Sequence, residues 1–395
     1  VRFETLVGLT SPRDKGSVVF QVLTGDLSQK RAVERKLARV NLDALERLIE
    51  WRLTRTPEQK EVLAEALTRV QSGRELFKGG GAQVGPEAVK QAEALEALTR
   101  TLMLETNPAI TCDEVLFIRR KAGHYLPQNW QSNSSIPKNG HENTLCALRL
   151  RGTGAGTIRE IYTPTNKVFI GDLDLNWDGQ RLLFSSIGAS NAWHVFEMKL
   201  AGGAMRQVSR DNAPDINHYD ACYLPDGRII FSCTALKYAV PCVNGNSPVA
   251  NLFRMNADGS GMEILASDQE HSWCPTVLPD GRVMYLRWEY ADLPHSNSRI
   301  MFTCNPDGSN QRALYGSNSF WPNGIFFARP IPNQPMQFVG VVTGHHGYAR
   351  KGELVLFDVN RGTQEADGAV QHIPGYGKKV EPVVKDQLAN GSWPL

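Results

Sequence analysis

Apolar positions change their spacing twice along this chain, and each change marks a change of element. In residues 1–27 two short runs rich in Val and Phe, Phe3–Leu9 and Ser17–Leu23, flank a turn at Pro12–Gly16. They read as strands, too few to bury a core, and are expected to be the tail of a β domain. From 28 to 106 the spacing becomes helical: Leu42, Leu45, Leu48, Ile49 and Leu53 recur every three or four positions between Arg and Glu. A second helix is predicted from Thr56-Pro57-Glu58, where Thr caps and Pro suits the first turn, to about Phe77 before Gly79–Gly81. A third runs from Pro86 to Leu104. This stretch predicts a helical linker or small bundle and carries no recognisable chemistry.

From 107 to 395 helical spacing disappears. Short Val, Ile, Phe and Tyr runs alternate with Asp-Gly, Asn-Gly and Pro turns, the pattern of sequential β-hairpins. Three segments align on such a turn, Asp172–Gly179, Asp220–Gly227 and Cys274–Gly281, and each continues into an apolar strand (Arg181–Phe184, Arg228–Phe231, Arg282–Leu286). A second hairpin follows: Phe253–Ser260 recurs as Phe302–Ser309, with a looser copy at Phe196–Gly203. Asp178, Asp226 and Asp280 are 48 and 54 residues apart. Two hairpins per unit and that period predict four-stranded blades, so the fold expected is mainly β, a β-propeller preceded by the helical segment. Divergent units lie on either side, Glu114–Arg120 with Thr144–Leu150 and Phe338–Thr343 with Glu353–Asp358. About five blades are therefore visible, and a complete ring is expected to have six or more. An open β-sandwich is the competing architecture, but it does not require repetition in register.

Composition narrows the function classes more than it identifies one. Of the 395 residues, 41% are apolar and 21% charged, ordinary values for a folded soluble domain. A formal net charge of +2 gives no global field for nucleic acid or a membrane surface. No run approaches the roughly 18 apolar residues of a spanning helix. The start at Val1-Arg2-Phe3-Glu4 shows no leader pattern, and Gly391–Leu395 brings no closing element, so a processed chain or fragment is expected, with the rest of the ring beyond Leu395. Seven cysteines are spread too thinly for a disulfide scaffold. There is no CxxC and no CxxCH, hence neither a four-cysteine zinc module nor a covalent c-type haem site.

Candidate chemistry concentrates on the first strand of each blade, which lines a propeller's channel. Alignment on the turns puts Asp172, Asp220 and Cys274 at one level and Asp174, Cys222 and Thr276 at a second. Such rings suit either a cation or a hydrated, hydrogen-bonded channel. His218, Asp220 and Cys222 fall on one face of one strand, and all three types ligate transition metals. Glu270-His271 with Cys274 has a zinc-like spacing, although a third ligand must come from elsewhere; ordinary loop polarity is the simpler explanation of either cluster. Cys242 sits in a Pro/Gly/Asn-rich loop and is a further metal or redox candidate, without a nearby base to make it a nucleophile. His345 and His346 point to opposite faces unless Gly344 and Gly347 turn the chain. Trp130, Trp273, Trp288 and Trp321 either stack on a sugar or pack between sheets, and packing is the expectation. The glycines of Gly152–Gly156 form neither a GxGxxG nor a P-loop.

Several unusual words carry a family resemblance: Leu126–Gln131, Tyr219–Gly227, Trp273–Val277, Arg287–Tyr290, Tyr315–Ser319 and Val342–His346. Over about 280 residues the chain resembles the propeller region of proteins related to the hydrazine synthase alpha subunit, found in planctomycete-type bacteria. The N-terminal strands more weakly resemble a jelly-roll carbohydrate-binding module. The resemblance implies an extracytoplasmic, periplasmic location, other domains or subunits of a larger complex as partners, and zinc bound through a propeller cysteine beside a haem. Cys242 is taken as the candidate for that cysteine. The absence of CxxCH departs from the enzyme where its chemistry resides, and fold similarity alone does not transfer chemistry. Three functions follow as expectations: a non-catalytic scaffold or metal-lined channel, part of a haem oxidoreductase subunit whose haem domains lie outside this chain, or a carbohydrate- or cell-wall-binding protein.

Overall fold

The computed structural model describes residues 41–77, 86–121, 126–289, 299–344, 350–373 and 379–380. The predicted strands at Phe3–Leu9 and Ser17–Leu23, and the pair His345-His346, lie outside them. Contacts divide the chain into two units, one of residues 1–115 with 148–158, the other of 116–147 with 159–395.

In the first unit three helices pack on one another: α1 (Leu42–Leu53), α2 (Lys60–Phe77) and α3 (Pro86–Arg100). The Asn41 side chain caps α1 by accepting from Ala44 N at 2.9 Å. Leu45, Ile49, Leu63, Ala66, Val70, Leu95 and Leu102 form the core that the helical spacing demands. Arg52 is buried among them and donates through its two terminal nitrogens to Leu102 O, Thr106 Oγ1 and Gln59 Oε1.

The second unit is a β-propeller, with five blades among the described residues. Blade 2 holds β4 (Gly171–Leu175), β5 (Arg181–Ile187), β6 (Trp193–Lys199) and β7 (Met205–Gln207) in sequential antiparallel order. Blade 3 repeats this with β8 (His218–Tyr223), β9 (Ile229–Cys233), β10 (Asn251–Met255) and β11 (Glu263–Ile264). Blade 4 comprises β12 (Ser272–Val277), β13 (Val283–Trp288), β14 (Arg299–Cys304) and β15 (Arg312–Tyr315). Blade 5 comprises β16 (Gly324–Ile331), β17 (Gln334–Thr343), β18 (Glu353–Asp358) and β19 (Ala369–His372); a single parallel pairing, Arg299 with Gly324, joins it to blade 4.

Blade 1 has three strands, β1 (Glu114–Arg120), β2 (Asn143–Arg149) and β3 (Ile158–Tyr162). β3 runs directly into β4, the innermost strand of blade 2, as β7 runs into β8, so β3 is the outermost strand of its blade. β1 is therefore the second strand, and the innermost position of blade 1 is unfilled among the described residues.

The repeated turns have a common cause. Asp178, Asp226 and Asp280 each accept from the main-chain N–H two residues on, at 2.8, 3.0 and 3.1 Å. Arg181, Arg228 and Arg282 then return their Nε to the same carboxylates. Between blades the apolar faces close into separate cores, such as Leu183, Val195 and Val208 against Tyr223, Phe231 and Phe253.

Candidate functional site

Four innermost strands share one irregularity. Asp172, Asp220, Cys274 and Phe327 hold left-handed backbone, at φ of 53°, 55°, 57° and 52°. Each sits inside a β-bulge, between Gly171 and Asp174, Tyr219 and Cys222, Trp273 and Thr276, and Phe326 and Arg329. Left-handed backbone is costly for residues with a Cβ, so its recurrence at equivalent positions needs a compensating interaction. Three of the four display it, the first being Asp220, whose N–H donates to Ser185 Oγ at 2.9 Å. Cys274 N–H donates to Asp220 Oδ2 at 2.5 Å, and the Phe327 main-chain N–H faces the Cys274 thiol. Three of the bulges thus turn an N–H toward a side chain of the preceding blade. Nearby, Tyr223 N–H reaches Asp174 Oδ2 at 2.9 Å across the same kind of boundary.

Over these bulges lies a strap, residues 126–136, that leaves blade 1 between β1 and β2. It touches every other described blade. Asn133 Nδ2 donates to Asp172 Oδ2 at 2.5 Å in blade 2. Ser132 and Ser134 lie beside the Tyr219 phenol in blade 3, where burial raises the phenol's pKa and the two hydroxyls partly offset it. The Trp130 main chain faces His271 in blade 4. Asn129 Nδ2 donates to Thr343 Oγ1 (3.1 Å) and Gly344 O (2.7 Å), and Asn129 Oδ1 accepts from Arg350 N (2.7 Å), all in blade 5. The Arg350 guanidinium donates to Gln131 O at 2.9 Å and sits 5.1 Å from the Phe326 ring centre.

Beneath the strap is a cavity of 280 Å³ lined by Ile118, Arg120, Leu126, Asp172, Asp220 and Arg329, among others. Burial pushes Asp220 up to about 6, with the Asp172 carboxylate adding to the shift. Asp174 is likewise pushed up to about 6 by burial. Burial lowers the pKa of Arg120, which donates to Ile170 O at 2.6 Å and rests 4.3 Å from the Phe169 ring centre.

The metal candidates are distributed rather than gathered. The bulge breaks period-two alternation in β8, so His218, Asp220 and Cys222 do not share the face expected from spacing. His218 stacks on His194 at 5.5 Å and packs against Phe231; burial lowers its pKa to about 4. Asp220 faces the cavity. Cys222 packs with Leu224, Ile230 and Leu252, and burial raises its thiol well above the usual range. His271 accepts Ala250 N–H on Nδ1 at 3.0 Å, and burial, then Arg350 and Arg299, lowers its pKa to about 3. The Cys274 thiol is raised by burial and by Asp220. Cys242 lies in a short 3-10 turn, Pro241–Val243, between β9 and β10. Among the described residues no three His, Cys, Asp or Glu side chains are grouped as a metal requires. Trp273 and Trp288 are fully buried and Trp321 nearly so, which places them in packing rather than on a sugar-stacking surface.

The strap, the bulges and Arg350 had no signal in hydrophobic spacing. The unusual words Leu126–Gln131, Tyr219–Gly227, Trp273–Val277 and Val342–Gly344 hold part of the strap, two of the bulges and the acceptors of Asn129, while Arg350 and the other two bulges lie in none of them.

No protein-family model matches the sequence, and no curated protein matches it either. Among solved structures, hydrazine synthase of Kuenenia stuttgartiensis is similar at a TM-score of 0.52 and 15% identity, over 64% of this chain and 38% of that one. A TolB protein of Agrobacterium tumefaciens aligns at 0.42 and 16% identity, over 63% of this chain and 86% of its own. A puromycin hydrolase aligns at 0.42 and 14%, over 69% and 37%. The likeness to hydrazine synthase is one of fold alone, and the aligned part spans well under half of that chain. No described helix is long and apolar enough to cross a membrane.

Proposed function

We propose that this chain is a non-catalytic binding or scaffold propeller within a larger, extracytoplasmic protein resembling the hydrazine synthase alpha subunit. The observation that carries this reading is where the central polar groups spend their hydrogen bonds. Asp172, Asp174, Asp220 and Asn129 all bond to another blade or to the strap. The thiols of Cys222 and Cys274 are held protonated by burial, the opposite of what a nucleophile or metal ligand needs. Polar groups committed to the frame make a rigid surface for recognition. The words that resemble those of hydrazine synthase relatives are what suggest the family part of the proposal.

The test is to assay the purified chain for hydrazine formation from nitric oxide and ammonium with an electron donor, together with elemental analysis and an absorption spectrum. No turnover and no haem band are expected. Turnover by the chain alone would overturn the proposal in favour of an enzyme.

A further inference from the structure

The link between β11 and β12, residues 265–271, ends on two fully buried ionisable side chains. Glu270 is 1% exposed, and neither of its carboxyl oxygens has a hydrogen-bond partner among the described residues. An ionised carboxylate in that place would have nothing to replace its hydration, so the group is held as the neutral acid. Burial raises it to about 7 from 4.5, and the Arg299 guanidinium of β14 pulls the other way without outweighing it.

His271 is neutral for a different reason. Its Nδ1 accepts the Ala250 N–H at 3.0 Å, a bond that a protonated Nδ1 would lose. The ring is held between Trp273 and Trp288, with ring centres 4.4 and 6.3 Å away. Burial opposes a charge there, and the Arg350 and Arg299 guanidiniums oppose it further. Other charged groups beside the link pair with one another, Asp268 with Arg287 of β13 at 3.0 Å and Arg287 with Glu289. The main chain fastens the link on both sides. Ser272 N–H donates to Ala250 O of blade 3 at 2.9 Å, and Trp288 N–H of β13 donates to His271 O at 2.8 Å.

We propose that Glu270 and His271 act as a compensating pair: lifting the link exposes both, the carboxyl releases a proton, the imidazole takes one up, and closure of the link is insensitive to mildly acidic pH. Between pH 4.5 and 6.5 an exposed glutamate is ionised and an exposed histidine is protonated, whereas the buried pair is neutral. Opening then exchanges no net proton with solvent. With the carboxyl alone, opening would become easier as the pH rises from 4.5 towards 7. With the imidazole alone, it would become easier as the pH falls from 6.5 towards 3. The two slopes are equal and opposite where they overlap. Since His271 also faces the Trp130 main chain, the same balance acts where the strap crosses blade 4.

Hydrogen exchange of the Ala250, Ser272 and Trp288 amides reads the opening of the link, in the full chain and in Glu270→Gln and His271→Asn. Glu270→Gln keeps a neutral planar side chain, and His271→Asn keeps an oxygen for the Ala250 N–H. Protection is taken relative to the parent at the same pH, so that groups titrating elsewhere, such as Asp174 and His218, cancel. In Glu270→Gln it is expected to rise roughly sevenfold from pH 5 to pH 6, and in His271→Asn to fall by about as much. The double variant is expected to follow the parent. A ratio that does not change with pH in either variant, or that changes in the same direction in both, overturns the pair. Should a variant fail to fold, the carbon-13 shift of the Glu270 carboxyl in the parent decides. The protonated value at pH 6 is expected, and the ionised value overturns the assignment.

Discussion

Arg350 donates its main-chain N–H to Asn129 Oδ1 at 2.7 Å, joining residues 221 positions apart in sequence. The same side chain gives its amide hydrogens to Thr343 and Gly344, so one buried asparagine ties the strap to blade 5 through both ends of its amide.

Asn129→Ala should therefore leave a buried N–H and carbonyl oxygen unpaired. At roughly 1–3 kcal/mol for each such group, a loss of about 3 kcal/mol is expected. Asn129→Asp should cost more, since a carboxylate oxygen would face Gly344 O. Urea denaturation of the three proteins measures both, and a shift in midpoint without a change in slope identifies a stability effect.

Asp220 separates geometry from charge. Asp220→Ala deprives the left-handed Cys274 N–H of its acceptor and should destabilise by about 2 kcal/mol. Asp220→Asn keeps an acceptor oxygen and should cost less than half as much. Equal losses would show that the bulge does not depend on this bond.

Acid should act through two histidines. His218 and His271 have folded pKa values of about 4 and about 3, below their ordinary 6.5. The folded state then binds fewer protons than the unfolded one, so stability is full above 6.5 and falls as the pH drops below it. Asp174 and Asp220, raised from 3.8 to about 6, act oppositely and lose stability as the pH rises from about 4 to 6. His218→Phe preserves the stack on His194 and removes one histidine from this balance. It should gain stability relative to the parent at pH 5 compared with pH 7. The same difference at both pH values would refute the assignment.

Thiol reactivity should be sharply divided. Of the six cysteines whose side chains are described, Cys112 is exposed, while Cys146, Cys222, Cys233, Cys274 and Cys304 are buried. Burial pushes Cys233 and Cys304 up to about 12. With a disulfide reagent at pH 8, Cys112→Ser should lose a fast phase, and the buried thiols should react only as fast as the protein unfolds. Fast labelling of Cys274 by peptide mapping would contradict its burial.

The blades were legible because Asp-Gly turns are local chemistry: an Asp side chain bonding two residues ahead and a Gly with positive φ repeat wherever the hairpin does. Blade 5 was harder because its first hairpin turns at Asn333 instead, which hid Phe327 and Arg329 as counterparts of Asp220 and Cys222. The bulges were invisible for a related reason. Asp, Asp, Cys and Phe share no propensity for left-handed backbone; the conformation comes from contacts with the next blade. Simple alternation consequently placed His218 and Cys222 beside Asp220, and one extra residue per strand separated them. The strap has no period at all, since its order comes from partners far away in sequence.

The strap also sets an order of events. Residues 126–136 leave the ribosome among the first of the propeller, yet their last partners, Thr343, Gly344 and Arg350, follow more than two hundred residues later. Until then Asn129 must stay hydrated and one end of the channel must stay open. At the roughly 5–20 residues per second of synthesis, that interval lasts tens of seconds. The early blades thus stand assembled around an accessible centre before the strap can settle, and whatever belongs in that centre has its widest opening while the protein is still being made.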